Sequence, residues 1–532
     1  MNICLVVDPA RYWRWHEWLS DDLRSAGHHV EVCRSDETSG WPTGLQSSLR
    51  IDQLLHRIRG VHALDRAQSD KLGTVVATNP PYDIVINCSG FTRPRTASLT
   101  LTLLFDGEPS ELGAISAFLD GRNIDIGIVN ETSSQVIAAA VPAIDCRMSI
   151  TSALDCALSR AIELAVDVVQ RRGTAATLNI GALPSRNPPR FETWHKRTAL
   201  SLRTYRKLSR IVSTKISNRL SRPNSLDGRW AIAIRPCRDQ GLIAGEWPHE
   251  AEFRIVPDDA KRFFADPMLI EHEGRTWLFC EELPFETRRG LISVAEVGAD
   301  GSVGPMRPVL ERPYHLSYPF VFEDGGRFYM IPESSQNHTV DLYVATDFPH
   351  SWRFVRHLLE GFAAHDTTLF RHDGRYVLFT TTLHRMSTSW DNLCVFEAAA
   401  LDGPFVAQDP GSLLINARQC RSAGAIVERG GDLIRPAQDC SVRYGGAISL
   451  NMIDRSKLPV LQQTEVATIA VARPSQIAGP HTYSRSTNFE ALDVYGAVDD
   501  LSTIALIVRP CEEQSESRSE EQSTAYARTM QG

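Results

Sequence analysis

The chain has 532 residues, of which 42% are hydrophobic and 23% are charged, and its formal net charge at pH 7 is −8. A chain of this length is too long for one hydrophobic core, so we expect two or three domains. The hydrophobic and charged fractions are typical of a soluble globular protein. The negative net charge excludes nucleic-acid binding driven by overall charge.

Eleven cysteines are spread singly along the chain, and no Cys-x-x-Cys pair occurs. This spacing argues against a disulfide framework and against a zinc site, and it favours a reducing compartment. The amino-terminal residues MNICLVVDPARYW predict a first strand and not a signal peptide, because few apolar residues precede the acid and the aromatics. We therefore predict a cytoplasmic protein without a metal or another cofactor.

Residues 1–173 alternate between short apolar runs and amphipathic helical patterns. The predicted strands are 3–7, 29–33, 83–87 and 123–129, and the predicted helices are 13–25, 52–67 and 152–170. Short apolar runs between helical patterns are typical of a parallel sheet covered on both faces. The sequence therefore predicts an α/β domain with a parallel sheet. No G-x-G-x-x-G follows a strand, so a dinucleotide cofactor is not indicated.

Residues 174–229 form a basic segment, predicted to be a linker that contains an amphipathic helix. The stretch 186–222 has eleven Lys or Arg and a single acid, Glu192. One interpretation is a solvated linker helix that packs on the following domain. The other is a helix at 196–222 on an anionic membrane surface, which would place the protein peripherally on the inner membrane face. The cations expected to face the lipid are Arg203, Arg206, Lys207 and Arg210.

From residue 230 onward the sequence is rich in predicted strands, and it repeats. Apolar strands that lead into a turn and an aromatic-rich strand begin at Asp266, Tyr318, Asp366 and Ala423, and a looser copy begins at His481. A period near 50 residues with several strands in each unit is typical of propeller blades. We therefore predict an all-β five-bladed β-propeller over 230–510, followed by a disordered acidic tail at 511–532.

Acidic residues recur at corresponding places in these repeats. Asp266 and Asp366 begin inner strands, whereas Glu333 and Asp439 lie at the ends of second strands. For a single acid, a turn-capping role is an adequate explanation, but a set in phase across the blades predicts a cluster at one mouth of the channel. Glycosidic bond chemistry needs one carboxyl to protonate the leaving oxygen and another to act as base or nucleophile. The predicted catalytic residues are Asp266, Glu333 and Asp366.

The predicted substrate-binding residues surround these three acids. Arginine and aromatic side chains hold hydroxyl groups, phosphates and sugar faces. The residues in this set are Glu282, His315, Tyr318, His365, Arg421, Arg435, Gln438, Asp439, Tyr444 and His481.

Several motifs give the propeller region a family resemblance. They are ADPML (265–269), HLSYPFVF (315–322), FYMIPES (328–334), AHDTTLF (364–370), LIRPAQDCSVRYGGAI (433–448) and HTYS (481–484). The region resembles the amino-terminal domain of glucosamine inositolphosphorylceramide transferase-like proteins, which is similar to the five-bladed propellers of the arabinanase, invertase and levansucrase group. The resemblance implies that Asp266 is the base or nucleophile and that Asp366 tunes a pKa or stabilises the transition state. It leaves Glu333 as the candidate general acid, with Glu282 in reserve.

The amino-terminal α/β unit weakly resembles a formyltransferase domain through LHRIRGVHALDRA (55–67) and YDIVINCSG (82–90). The His segment of that family has no counterpart after Asn87, so we expect a degenerate, non-catalytic unit.

Three functions follow from this sequence. The first is a carbohydrate-active enzyme that hydrolyses or transfers at a glycosidic bond of a glycan, a nucleotide-sugar or a glycolipid. The second is a non-catalytic glycan-binding scaffold in surface-polysaccharide assembly. The third is a sugar formyltransferase.

Overall fold

The computed structural model describes residues 1–68, 72–73, 82–91, 99–173, 194–220, 228–237, 240–408, 414–458, 461–472, 477–496, 498 and 501–511. Within helix 194–220, side chains are described for 200–213. The chain divides into two compact units, Met1–Asn224 with Leu383–Thr388 and Ser225–Thr382 with Ser389–Gly532. Residues 512–532 of the tail predicted at 511–532, and residues 174–193 and 221–227 of the basic segment, lie outside the described residues.

The first unit is an α/β domain with a six-stranded sheet in the order β2-β1-β3-β4-β5-β6. Its strands are β1 (Asn2–Val7), β2 (His29–Arg34), β3 (Ile84–Cys88), β4 (Leu99–Phe105), β5 (Ile126–Asn130) and β6 (Gln135–Ala140). Its helices are α1 (Arg14–Ser25), α2 (Leu45–His56), α3 (Glu111–Leu119), α4 (Ile150–Gln170) and α5 (Trp194–Leu220).

The sheet of the first unit is mixed, which corrects the prediction of a parallel sheet. Strands β1 to β4 pair in parallel, whereas β4 with β5 and β5 with β6 pair antiparallel. The predicted helix at 52–67 was also misplaced, because α2 ends at His56 and Arg57 adopts a left-handed backbone with φ of 55°. A side chain disfavours this conformation inside a helix, so the helix stops there.

Helix α5 packs within the first unit and is not a solvated linker. Leu200, Leu208 and Ile211 are buried, and the helix contacts α2 and α3. Arg203 forms an ion pair with Asp120. Lys207 Nζ lies 4.0 Å from the centroid of the Phe118 ring, and burial lowers the pKa of Lys207 to about 8. The expectation that Arg203 and Lys207 face lipid is therefore wrong, whereas Arg206 and Arg210 are exposed.

The second unit is a β-propeller, and three of its segments are separate sheets, two with four described strands and one with five. Each segment begins with an inner strand and continues outward through antiparallel neighbours. Segment one contains β9 (Arg262–His272), β10 (Arg275–Pro284), β11 (Leu291–Val297) and β12 (Arg307–Leu310). Segment two contains β13 (Ser317–Asp324), β14 (Arg327–Ser334), β15 (Thr339–Asp347) and β16 (Ser351–Glu360). Segment three contains β17 (Ala364–His372), β18 (Arg375–Thr382), β19 (Asn392–Ala398), β20 (Val406–Ala407) and, paired with β19, β21 (Leu414–Ile415).

The strands at the two ends of the second unit close the ring. Segment four contains β22 (Val427–Arg429), β23 (Asp432–Asp439), β24 (Ala447–Ile453) and β25 (Gln463–Val471). Segment five joins β26 (Tyr483–Arg485) and β27 (Phe489–Gly496) to the first strands of the unit, β7 (Arg229–Pro236) and β8 (His249–Ile255), which flank the short helix α6 (Gly241–Ala244). The last strand, β28 (Thr503–Pro510), pairs with both β25 and β8. The described strands of segments four and five therefore form one nine-stranded sheet.

Apolar side chains fill the space between neighbouring segments. One buried cluster joins segments one, two and three through residues such as Phe279, Met330 and Leu378. A second cluster joins segments four and five and includes Leu450 and Leu492. Successive side chains of a strand point to opposite faces of its sheet, so the apolar faces of neighbouring segments pack together. The polar side chains at the ends of the inner strands face the channel. Among the described residues, no helix is sufficiently long and apolar to cross a membrane.

Gly424 lies against the backbone of Tyr483 in segment five, and replacing Gly424 tests the fold. Its φ is +122°, and an added Cβ would lie 1.9 Å from the carbonyl oxygen of Tyr483. We expect Gly424→Ala to lower the free energy of unfolding by at least about 2 kcal/mol more than Gly431→Ala. Gly431 also has a left-handed φ, +93°, but an added Cβ there meets nothing within 4 Å. Equal losses in urea unfolding of the two variants would contradict the described contact.

Candidate active site

Three inner strands begin with the same backbone irregularity. Asp266, Tyr318 and Asp366 have left-handed φ values of 53°, 41° and 45°. In each hairpin the register shifts at this point, so that two residues of the inner strand form a bulge. Bulges re-aim side chains, and non-glycine residues in the left-handed region cluster at functional sites. The three repeats therefore place Asp266, Tyr318 and Asp366 at corresponding bulges of their inner strands.

Arg421 joins two of the predicted catalytic acids. Its Nε lies 2.6 Å from Asp366 Oδ2, and its Nη2 lies 3.1 Å from Asp366 Oδ1 and 3.4 Å from Glu333 Oε2. Gln438 Nε2 donates a hydrogen bond of 2.6 Å to Asp366 Oδ2. All four residues are buried. A buried pair of carboxyl groups that shares one guanidinium is held in a fixed geometry by charge-assisted bonds.

The two acids that contact Arg421 differ in their proton affinity. Burial raises the pKa of Asp366 well above its usual value, Arg421 opposes this, and Glu333 and Asp266 add to it. For Glu333, burial acts in the same upward direction, but His365 and Arg421 hold its pKa well below its usual range. The Nδ1 atom of His365 lies 3.1 Å from Glu333 Oε1. The pKa values of Glu333 and Asp366 are therefore shifted in opposite directions, and the role of Glu333 as the general acid stays a prediction.

Asp266 lies in a second polar group beside the first. It accepts hydrogen bonds from the Thr482 hydroxyl at 2.6 Å and from the Tyr318 backbone amide at 3.1 Å. Burial raises the pKa of Asp266 to about 6, with His481 opposing the shift and Glu281 and Asp493 adding to it. Asp266 can therefore gain or lose a proton near neutral pH.

His481 lies between two carboxyl groups. Its Nδ1 is 2.7 Å from Asp493 Oδ1, and its Nε2 is 3.5 Å from Asp266 Oδ1. Burial lowers the pKa of His481, but Asp493 and Asp266 outweigh it and raise the value to about 9. The ligand atoms of these three residues all lie within 4.8 Å of one another, the only such group of three or more among the described residues.

Aromatic rings and a further histidine flank the cluster within the second unit. Trp230 stacks on His481 with ring centroids 3.8 Å apart, and Tyr444 lies edge-on to His481 at 5.6 Å. The Arg421 guanidinium carbon is 5.2 Å from the Tyr444 ring centroid. His315 Nε2 lies 3.1 Å from Glu281 Oε1, and the His315 side chain is partly exposed. Aromatic faces beside buried acids are the surfaces on which sugar rings stack.

The structure places three predicted binding residues away from this cluster. Glu282 forms an ion pair with Arg262 and accepts a hydrogen bond from Ser293, because adjacent strand residues point to opposite faces. Asp439 accepts two hydrogen bonds from Ser441, as a turn-capping acid does. Arg435 donates hydrogen bonds to the carbonyl groups of Gln419 and Cys420. These three side chains have partners within the protein, so their role in substrate binding stays a prediction, and Arg435 holds the backbone that precedes Arg421.

Tyr318, another predicted binding residue, also has its partners within the protein. Its side chain is fully buried, and its hydroxyl lies 2.8 Å from Thr368 Oγ1 and accepts a hydrogen bond of 2.8 Å from the Gly424 amide. The ring therefore links segments two, three and four beneath the acids.

Three residues outside the predicted set belong to the cluster. Glu281 pairs with Ala265 in the register of segment one, as Glu333 pairs with Ser317 in segment two. Glu281 and Glu333 therefore occupy corresponding positions in two repeats. A comparison of the repeats thus favours Glu281 over Glu282 as a member of the cluster. Asp493, in the middle of β27, accepts hydrogen bonds from the backbone amides of Asp266, His481 and Thr482. Trp230 precedes every repeat in the sequence, so no periodic signal could have found it.

Comparison with known proteins identifies relatives of this region. The family model described as glucosamine inositolphosphorylceramide transferase 1, N-terminal, matches residues 256–484. The propeller resembles the amino-terminal domain of that family. The transferase of Oryza sativa subsp. japonica is 31% identical over 250 residues, which are 43% of this chain and 34% of the relative. The transferase of Arabidopsis thaliana is 28% identical over 218 residues, 39% of this chain and 27% of the relative. The chain therefore spans about a third of the length of these relatives.

Solved structures with a related chain path include two glycosidases. An exo-β-1,3-galactanase from Phanerochaete chrysosporium has a TM-score of 0.31 and 10% identity, and the match covers 47% of this chain and 82% of the galactanase. An α-L-arabinanase from Cellvibrio cellulosa has a TM-score of 0.30 and 16% identity, with 38% and 77% covered. The family match begins at residue 256, so the likeness of the amino-terminal unit to formyltransferases stays a prediction.

The pKa of His481 predicts a pH dependence of stability. The folded protein binds the proton of His481 more tightly than the unfolded chain does, because the pKa of this histidine in the unfolded chain is 6.5. Protonated His481 therefore adds its full contribution to the free energy of unfolding below pH 6.5. This contribution, roughly 3 kcal/mol, is lost as the pH rises through about 9. Urea unfolding should show this loss in the wild type and a much smaller one in His481→Gln. His350 is exposed, so the His350→Gln variant should keep the wild-type pH dependence of the free energy of unfolding. A free energy of unfolding that does not change with pH in either variant would contradict the attribution of this dependence to His481.

Proposed function

We propose that the propeller is a carbohydrate-active domain that acts on a glycosidic bond of a glycan or glycolipid. The divergent proton affinities of Asp266 and Glu333 carry this proposal. One buried cluster contains a carboxyl group with a pKa of about 6 and a carboxyl group held well below its usual range. Two acids whose environments separate their pKa values in this way are the arrangement that glycosidic bond cleavage requires.

The roles follow from the contacts of each side chain. Asp266 exchanges a proton with the glycosidic oxygen or with an attacking hydroxyl, because its pKa lies near neutral pH. Glu333 remains ionised and stabilises the positive charge that develops on the sugar ring. Arg421 holds Glu333 in a fixed position relative to Asp366, so that the carboxylate of Glu333 does not move away from the substrate.

The flanking groups supply the binding surface. Tyr444 and Trp230 offer aromatic faces to a sugar ring, and His315 offers a partly exposed imidazole for hydroxyl or phosphate oxygens. The relatives in rice and Arabidopsis are named glucosamine inositolphosphorylceramide transferase 1. A glycosylated inositol phospholipid is therefore the first substrate class to test. The single spacing of the eleven cysteines, without a Cys-x-x-Cys pair, supports a reducing, cytoplasmic location.

A non-catalytic glycan-binding scaffold is the second candidate, and one observation favours it. Both oxygens of Asp366 are bound by Arg421, and Oδ2 also accepts a hydrogen bond from Gln438. An acid whose oxygens are all occupied holds structure and does no chemistry unless the substrate displaces a partner. In this second function, the same surface binds a glycan, but Asp266 transfers no proton.

Substitution of Asp266 separates the two candidates. Asp266→Asn keeps the shape of the side chain and removes the titrating group. If the domain is an enzyme, turnover of nitrophenyl glycosides or glycosylated inositol phospholipids should fall by a factor of roughly a hundred or more. Asp439→Asn is the matched control, because Asp439 ends a second strand but lies outside the cluster.

Binding and turnover are measured on the same variants. Retention of a glycan on an array by the wild type, without any turnover, would establish the scaffold candidate. Full turnover by Asp266→Asn would contradict the role of Asp266. Absence of both binding and turnover across the panel would overturn the carbohydrate proposal itself.

A further inference from the structure

Helix α2 and the residues after it expose apolar side chains on the first unit. Leu54 is 78% exposed, Val61 is 53% exposed and Ile51 is 40% exposed. Ile51 and Leu54 lie on the side of α2 opposite to its buried residues Leu45, Leu49 and Asp52. Single exposed apolar residues are common on protein surfaces, but a set on one face of a helix marks an interaction site.

Helix α5 extends this apolar surface. Leu202 is 52% exposed, and Tyr205 and Val212 are also exposed. The two helices pack together, and the Tyr205 hydroxyl donates a hydrogen bond of 3.0 Å to the carbonyl oxygen of Gly44, directly before α2. Because the two helices pack together, we group the exposed apolar residues of α5 with those of α2 and Val61 and call this the α2–α5 surface.

The charges on the α2–α5 surface have one sign. The exposed cations are Arg50, Arg57, Arg59, Arg206 and Arg210. Residues 45–61 contain a single acid, Asp52, and residues 200–213 contain none. Asp52 is buried and accepts hydrogen bonds from the Ser149 hydroxyl and the Thr151 amide, so it does not offset the exposed arginines.

We propose that the α2–α5 surface binds an anionic lipid bilayer. Leucine, isoleucine and valine side chains enter the boundary between headgroups and acyl chains, and the arginines between them contact the anionic headgroups. Tyr205, with an apolar ring and a polar hydroxyl, is a residue type enriched at this depth of a bilayer. A bilayer fits better than an acidic protein, because the apolar side chains project outward from two helices and are spaced among the arginines.

This surface differs from the one predicted from the basic segment alone. That prediction used Arg203 and Lys207, which the structure engages with α3 through Asp120 and Phe118. The α2–α5 surface keeps Arg206 and Arg210 and adds the arginines and apolar residues of α2. The proposal does not rest on the function of the propeller, since every residue involved lies in the first unit.

Cosedimentation of the full chain with vesicles tests the proposal. The wild type should bind vesicles of phosphatidylcholine with phosphatidylserine, bind phosphatidylcholine alone far more weakly, and lose affinity as salt rises. Arg206→Gln with Arg210→Gln should weaken binding to the anionic vesicles by about 25-fold, or about five-fold for each arginine. The double substitution Leu54→Ser with Leu202→Ser should also weaken binding to the anionic vesicles several-fold. Because it removes apolar contacts, the effect should persist at high salt.

Exposed propeller residues provide the controls. Arg275→Gln with Arg371→Gln, and Val406→Ser, remove equally exposed charges and an equally exposed apolar side chain from the second unit. These variants should bind as the wild type does, and thermal unfolding confirms that every variant is folded. Binding that ignores lipid charge, or that falls equally in the propeller controls, would overturn the proposal. Binding to an acidic polypeptide with none to vesicles would assign the surface to a protein partner and would equally overturn it.

Discussion

The ion pairs of Arg421 are the interaction on which the candidate site depends. A single guanidinium, buried in the channel, contacts carboxyl groups from two other segments of the propeller. Without it, Glu333 and Asp366 would be two buried acids in mutual repulsion, and at least one would have to take up a proton. The rest of the segment supports this cation, since Arg435 binds the carbonyl groups just before it and Gln438 completes the shell of Asp366.

A second cation, His481, plays the corresponding role for Asp266 and Asp493. The two groups are connected by Tyr318, whose backbone amide binds Asp266 and whose hydroxyl reaches segments three and four. The result is a polar centre in which Glu333 is fixed as a carboxylate and Asp266 titrates near neutral pH. The apolar faces between the segments hold this centre, since they fix the positions of the inner strands.

The sequence predicted the propeller because each hairpin repeats a local signal, an apolar strand and then a turn with aromatic residues. It did not predict that β28 joins segments four and five, or that β7 and β8 complete segment five, because those pairings are distant in sequence. At the site, Asp266, Glu333 and Asp366 come together because they are in phase with the repeat. Glu282 and Asp439 do not, because a shift of one residue along a strand turns a side chain to the other face. Asp493 was missed because the fifth copy is the most divergent.

The central claim is that Arg421 couples the acids, and a double-mutant cycle between Arg421 and Asp366 tests it most directly. Arg421→Gln, Asp366→Asn and the double variant are compared with the wild type in urea unfolding at neutral pH. Removing Arg421 alone leaves two buried carboxyl groups without their cation, so we expect a loss of roughly 3–5 kcal/mol. The same substitution in the Asp366→Asn protein should cost about 2 kcal/mol less, because one of those carboxyl groups is gone. Additive losses, with a coupling energy below about 0.5 kcal/mol, would contradict the account.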